Sequence, residues 1–166
     1  MSLRTLVVTA LIVFSSPAVA DGIEVHDAYA IAALPTSVSG AAFLTIHNHG
    51  VAPDRLIGIR TNAAERADLH ANVETDGVMQ MVSIADGIDL PKDGEIVLSR
   101  GADHIMLLGL TAPFLDGKVF TLTLEFEVAG DVVVEVPVDL ARMTGDAMDH
   151  SGMDMNSMDM TEPASE

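Results

Sequence analysis

From residue 121 to residue 128 the chain alternates. Leu122, Leu124, Phe126 and Val128 are apolar, and Thr121, Thr123, Glu125 and Glu127 between them are polar. A period of two places one set on a dry face and the other in water, the pattern of a half-buried β-strand. Gly130-Asp131 reads as a turn into a second strand over residues 132–138, an apolar run interrupted by Glu135, and the pair predicts a hairpin. Further strands are predicted at residues 23–30, 42–47, 56–60, 67–70, 78–84, 95–98 and 104–108. Turn-forming residues separate them at Pro35, Ser39-Gly40, Asn48-His49-Gly50, Asp76-Gly77, Lys92-Asp93-Gly94 and Asp116-Gly117. Residues 62–66 offer at most one helical turn. Nine short strands at this spacing predict an all-β domain, an antiparallel β-sandwich or barrel.

Both ends break the pattern. Residues 1–20 hold Arg4, an apolar run over 6–14, and Ala18-Val19-Ala20 before Asp21. A basic start, a short apolar centre and an A-x-A end predict a secretory signal peptide cleaved after Ala20. The apolar run is shorter than a membrane span needs. The expectation is a periplasmic protein with no stable membrane insertion and one folded domain over residues 21–140. Composition then changes near Leu140. Residues 143–160 read MTGDAMDHSGMDMNSMDM, six methionines and one histidine among Asp, Ser, Gly and Asn. Such a stretch cannot bury enough apolar surface to order itself, so residues 141–166 are expected to form a disordered tail.

Charge and cysteine usage narrow the function classes. The formal net charge is −17, and removing residues 1–20 takes away Arg4 and no acid. That sign disfavours nucleic acid and anionic membranes as partners and favours a cationic ligand or a basic protein surface. The chain has no cysteine. In an oxidising compartment its core must therefore stand on burial alone. A blue-copper electron-transfer site needs a cysteine thiolate and is excluded. No Ser/His/Asp nucleophile set, phosphate loop or dinucleotide fingerprint stands out, and an enzyme is not expected.

The remaining chemistry lies in histidine and methionine. His70, Met79 and Met81 lie in LHANVETDGVMQM, and His104 and Met106 in DHIM. Thioether sulfur binds most biological metals weakly but suits soft Cu(I), which accepts mixed sulfur and nitrogen coordination. Residues two apart in a strand share a face, so His104 and Met106 project together, as do Met79 and Met81. Asp76-Gly77 can turn the chain so that these methionines return towards His70. Alternation alone leaves Met79 and Met81 equal candidates, one a ligand and the other a hydrophobic shield. His47 and His49, also two apart, could form a secondary Cu(II) site, but a strand end running into a turn explains them as well. His26 reads as an exposed strand residue or a hydrogen-bonding residue at the edge of the core, and Asp27 beside it as structural rather than catalytic.

These residues resemble the PCu(A)C family of periplasmic copper chaperones, whose motif is a His, ten residues, a Met, a longer gap and then His-x-Met. Ten residues separate His70 from Met81, and twenty-two separate Met81 from His104-Ile105-Met106, one more than the usual gap. The surplus residue is assigned to the turn around residues 91–94. The likeness extends over residues 23–138, through DAYA, NHGVAPDRLIG, DGVMQM, HIMLLGL and LTLEFEVAGDVVVEVPV. Tyr29 stands where the family often has Trp, and Ile31 where a basic residue is common. The resemblance implies a cupredoxin-like β-sandwich binding Cu(I) through His70, Met81, His104 and Met106, with Met79 left to packing. It also implies a monomer that delivers copper to an acceptor, such as the copper subunit of a respiratory oxidase or a Sco-type protein. In the tail, Met143, Met148, His150, Met153, Met155, Met158 and Met160 form a possible secondary site, for Cu(I) through sulfur or Cu(II) through His150 and carboxylates. If that tail dominates, the alternative function is copper sequestration for resistance.

Overall fold

A computed structural model describes residues 22–75 and 77–145. The expected signal peptide and the tail beyond residue 145, with Met148, His150, Met153, Met155, Met158 and Met160, lie outside the described residues. Ten strands are formed among the described residues: β1 (Ile23–Ile31), β2 (Ser39–Asn48), β3 (Asp54–Thr61), β4 (Ala64–Thr75), β5 (Val78–Ser83), β6 (Ile88–Leu90), β7 (Glu95–Leu98), β8 (His104–Leu110), β9 (Val119–Phe126) and β10 (Gly130–Pro137). One sheet runs β1-β2-β8-β4-β5, and the other runs β10-β9-β3-β6. β7 completes the first sheet by pairing with residues 44–47 of β2, beyond the stretch 39–42 that pairs with β8. Every strand pair in the two ladders is antiparallel.

The inner faces of the two sheets carry the apolar set of each alternating strand. Leu122 and Leu124 of β9, Val132 and Val136 of β10, Leu44 and Ile46 of β2, and Ile105 and Leu107 of β8 are all fully buried. Each such side chain contributes about 1.5–3 kcal/mol by leaving water. The sandwich, one of the two architectures expected from the period-two pattern, is the one present: two sheets joined among the described residues by an isolated bridge between Ala30 and Val138.

Local expectations needed correction in several places, among them Ser39-Gly40, expected as a turn but opening β2. The β9–β10 hairpin turns at Glu127-Val128-Ala129, earlier than Gly130-Asp131, and Gly130 pairs directly with Phe126. Val128 is therefore 71% exposed instead of lying on the dry face. The Asp54 carboxylate holds this turn by accepting the amide protons of Val128 at 2.9 Å and Ala129 at 2.8 Å. Gly130 has φ +76°, the left-handed conformation that three-residue hairpin loops favour at glycine. β6 was not anticipated, because three residues are too few to show a period. Residues 62–63 make a bend, within the expectation of at most one helical turn: the Thr61 hydroxyl accepts the Ala63 amide, and β4 begins at Ala64. β4 runs on to Thr75, well past the four residues expected, because its pairing with β5 and β8 supplies the order that its mixed composition lacks.

The end of β10 leads back across the first sheet. After an isolated bridge between Ala30 and Val138, the Asp139 carboxylate accepts the Ala141 and Arg142 amides, and a single helical turn covers Arg142–Gly145. Arg142 stacks 4.2 Å from the centre of the Tyr29 ring and grips Asp27 through two hydrogen bonds of 2.7 and 2.9 Å. Asp27 has φ +49° and sits where the β1–β2 register shifts, so its backbone bulges and its carboxylate meets the guanidinium. Met143, the one tail methionine described, lies in this turn.

Candidate metal centre

β8 lies between β2 and β4, and β4 lies between β8 and β5. This order gathers the two His/Met clusters on neighbouring strands although thirty-three residues separate His70 from His104. His70 and His104 are direct register partners. Met106 faces Asp68, two residues before His70, while Met81 faces Asn72, two residues after it. His70 is thus the hub: His104 lies opposite, and each methionine lies on a diagonal. Diagonal neighbours are roughly 7–8 Å apart at the backbone end, a gap that a long thioether side chain can cross.

The four side chains lie on the outer face of the sheet. Ile105, between His104 and Met106, is fully buried in the core, and Leu69 beside His70 is 5% exposed, so the intervening positions point outwards. Exposure rises across the group. His104 is buried, His70 and Met106 are half-buried, and Met81 is 53% exposed. Phe43 closes one side, with its ring centre 6.3 Å from that of His104 and 5.0 Å from that of Tyr29.

Each imidazole is oriented by its own strand. Nδ1 of His104 is 2.9 Å from the Ala102 carbonyl, and Nδ1 of His70 is 3.4 Å from the Asp68 carbonyl. A carbonyl can only accept, so Nδ1 carries the proton and Nε2 keeps the lone pair that a metal would use. The two rings stack with centres 6.2 Å apart and planes inclined by 29°. Asp68, the register partner of Met106, is paired with Arg66 at 2.6 Å. Imidazole nitrogen and thioether sulfur are therefore the donors this strip presents.

Met79 does not pack as expected. It faces Glu74, two positions farther out along the hairpin than Met81, and is 60% exposed. Every residue of β5 is exposed, because β5 is the edge of its sheet and has no neighbour beyond it. Met79 is thus a second solvent-facing thioether on the face of Met81. The secondary candidates lie elsewhere: His47 and His49 stand at the far end of β2 beside Glu24 and Glu95. Sequence reasoning did not identify the groups that orient the imidazoles, because they are main-chain carbonyls and carry no side-chain signature.

Comparison with known proteins places this arrangement among relatives. The family model described as "Putative lipoprotein LpqE-like" matches residues 23–138. "Putative lipoprotein Lxx21020" of Leifsonia xyli subsp. xyli (strain CTCB07) is 34% identical over 119 residues, covering 72% of this chain and 70% of that protein. Among solved structures, the copper-bound PCuAC domain from PmoF2 is similar at 22% identity and a TM-score of 0.61, over 75% of this chain and 98% of that one. The solution structure of CuI-DR1885 from Deinococcus radiodurans is similar at 25% identity and a TM-score of 0.55, over 75% of this chain and 81% of that one. The shared architecture is the cupredoxin-like β-sandwich.

Proposed function

The chain belongs to the LpqE-like family, within the PCuAC clan, and from that premise we propose that it is an exported copper chaperone that carries Cu(I) on His70, Met81, His104 and Met106. The observation that carries the reading is the hub at His70, with an imidazole opposite it and a thioether on each diagonal. Two neutral imidazoles and two neutral thioethers leave Cu(I) its single positive charge, and the softness of sulfur favours that oxidation state over Cu(II). Copper in the PmoF2 domain and Cu(I) in DR1885 support the choice of metal.

The gradient of exposure suits transfer. His104, fixed by the Ala102 carbonyl and covered on one side, is the permanent anchor. Met81 stands on an edge strand in solvent and is the first ligand an incoming donor can displace. Release then proceeds by ligand exchange, one thioether at a time, to a copper acceptor such as an oxidase copper subunit or a Sco-type protein. No bond to carbon is made or broken, so the reading is not enzymatic. Residues 1–20 would direct export to the periplasm, with cleavage after Ala20. Export agrees with the description of the matching family and of its relative as putative lipoproteins.

Titration of the mature full chain with Cu(I) against a chromogenic chelator tests the proposal. One tightly held equivalent that is lost in both Met81→Ala and His104→Ala supports it, and unchanged affinity in both variants ends it. The alternative of sequestration places most capacity in residues 143–160. Removing residues 146–166 would then abolish most copper uptake, whereas a chaperone keeps its single tight equivalent.

A further inference from the structure

Five histidines are described, and two of them, His70 and His104, belong to the His/Met strip. The other three come together at one place. Glu24 of β1 is paired with His47 of β2, and His47 is paired with Glu95 of β7, so the three form one row across the outer face. His26 lies in the next row of β1, and His49 lies just past the end of β2. The two oxygens of Glu24 are 3.3 Å from Nε2 of His26 and 3.2 Å from Nε2 of His49. Nε2 of His47 is 3.6 Å from Glu95. The His47 ring centre lies 5.2 Å from that of His26 and 5.9 Å from that of His49.

We propose that His26, His47, His49 and Glu24 form a second metal site, separate from the His/Met strip and suited to a borderline divalent cation, Cu(II) foremost. Metal–nitrogen and metal–oxygen bonds of about 2.0–2.1 Å put adjacent donors of a tetragonal Cu(II) site about 2.9 Å apart, and the centres of two adjacent Nε2-bound imidazoles about 4.5 Å apart. Each Glu24 oxygen meets one imidazole, and both separations and the His26–His47 ring distance exceed those values by less than about 1 Å. The four donors do not yet converge on one point. Convergence requires His47 to leave Glu95 and the His49 ring to move inwards. The side chains are 49% exposed at His26, 34% at His47 and 60% at His49, so rotation meets little packing.

The backbone beneath these rings is held firmly. Asn48, between His47 and His49, is 2% exposed, and its amide group donates to the Ala52 carbonyl at 2.9 Å and the Pro91 carbonyl at 3.2 Å. Its side-chain oxygen accepts the Gly50 amide at 2.9 Å, and its main chain bonds to Gly94 and Asp93. The donor chemistry differs from that of the strip: imidazole and carboxylate without sulfur select Cu(II) over Cu(I), and Cu(II) over Zn(II) by intrinsic affinity. His47 is four residues from Phe43 along β2, about 13 Å, so the two sites would share a face without sharing a ligand.

The test uses the mature full chain carrying His150→Gln, which removes the tail histidine. Silver(I), a soft and redox-inert stand-in, first occupies the strip, and Cu(II) is then titrated with electron paramagnetic resonance detection. One Cu(II) equivalent with couplings to the remote nitrogens of at least two imidazoles is expected. Affinity should fall about tenfold or more in His47→Gln and in His26→Gln/His49→Gln, and should hold in His70→Gln. Zn(II) in excess should displace the copper. A Cu(II) signal that follows His70 or His104, or one that survives His26→Gln/His47→Gln/His49→Gln, overturns the proposal, as does the absence of any Cu(II) equivalent. Silver binding, measured separately in each variant, reports the His/Met strip and the folded state, so failure of one site is not read as failure of the other.

Discussion

His70 and His104 sit directly opposite each other on antiparallel strands, with their ring centres 6.2 Å apart and each Nδ1 turned to a carbonyl two residues earlier in its own chain. The symmetry is local: each ring is held by its own strand, and the ladder then brings the two rings together. Both Nε2 atoms are thereby left for a ligand, and the first two predictions rest on that geometry.

His104→Ala should weaken Cu(I) binding more than the ~10–100-fold typical of losing a partner that only orients a ligand. Chelator competition measures it. His70→Ala should match it, because the hub and its register partner would contribute equivalent nitrogens. A deficit confined to one of the two histidines would show that the pair does not act together.

Met81 and Met79 should separate cleanly. Met81 is diagonal to His70, whereas Met79 is displaced by two further residues, about 7 Å along the strand. Met81→Ala should lower Cu(I) affinity, and Met79→Ala should leave the equilibrium affinity near that of the unaltered protein. Both residues are exposed, so neither change should move the melting temperature appreciably.

Ile105→Ala tests the support beneath the site. Ile105 is fully buried between His104 and Met106, and its loss should cost about 2–5 kcal/mol of stability, read by denaturant unfolding. Asn48→Ala should also destabilise, since the buried Asn48 side chain ties the Ala52 and Pro91 carbonyls to the Gly50 amide, each bond contributing about 0.5–1.5 kcal/mol. Copper binding at the strip should survive Asn48→Ala better than Ile105→Ala, because only Ile105 lies beneath the ligands.

Acid should release the turn over Tyr29. The hydrogen bonds from Arg142 hold the Asp27 carboxyl below its ordinary range, against a weaker opposing effect of burial. A depressed carboxylate stabilises fully above its unfolded value, near 3.9, and that contribution is lost as pH falls through the folded value. Both groups are largely exposed, so the effect on global stability should be small. The local effect is readable: amide protection factors at residues 140–143, taken against the intrinsic exchange rate at each pH, should fall as the Asp27 carboxyl protonates, and Asp27→Asn should show the lower protection at neutral pH.

Alternation made most strands legible. Leu122, Leu124 and Phe126 announce β9, and the valines of β10 answer them, because a period of two is a local property of the chain. The exact turn was not legible. Val128 continues the apolar rhythm, yet Asp54, more than seventy residues away, captures the amides of Val128 and Ala129 and turns the chain there. β4 was underestimated for a related reason, since its length is set by β5 and β8 on either side.

The sequence by itself determined the donor types, their same-face spacing within each cluster, the absence of thiolate and the sandwich class. Only the tertiary structure decided that β8 inserts between β2 and β4, that the His/Met strip faces outwards, and that Met79 is exposed. Strand order is a matter of which non-local pairings bury the most apolar surface, and no short window of residues carries that information. The same ordering brought His26 beside His47 and His49 at the other end of the face, where the sequence offered His47 and His49 as a secondary pair and left His26 apart.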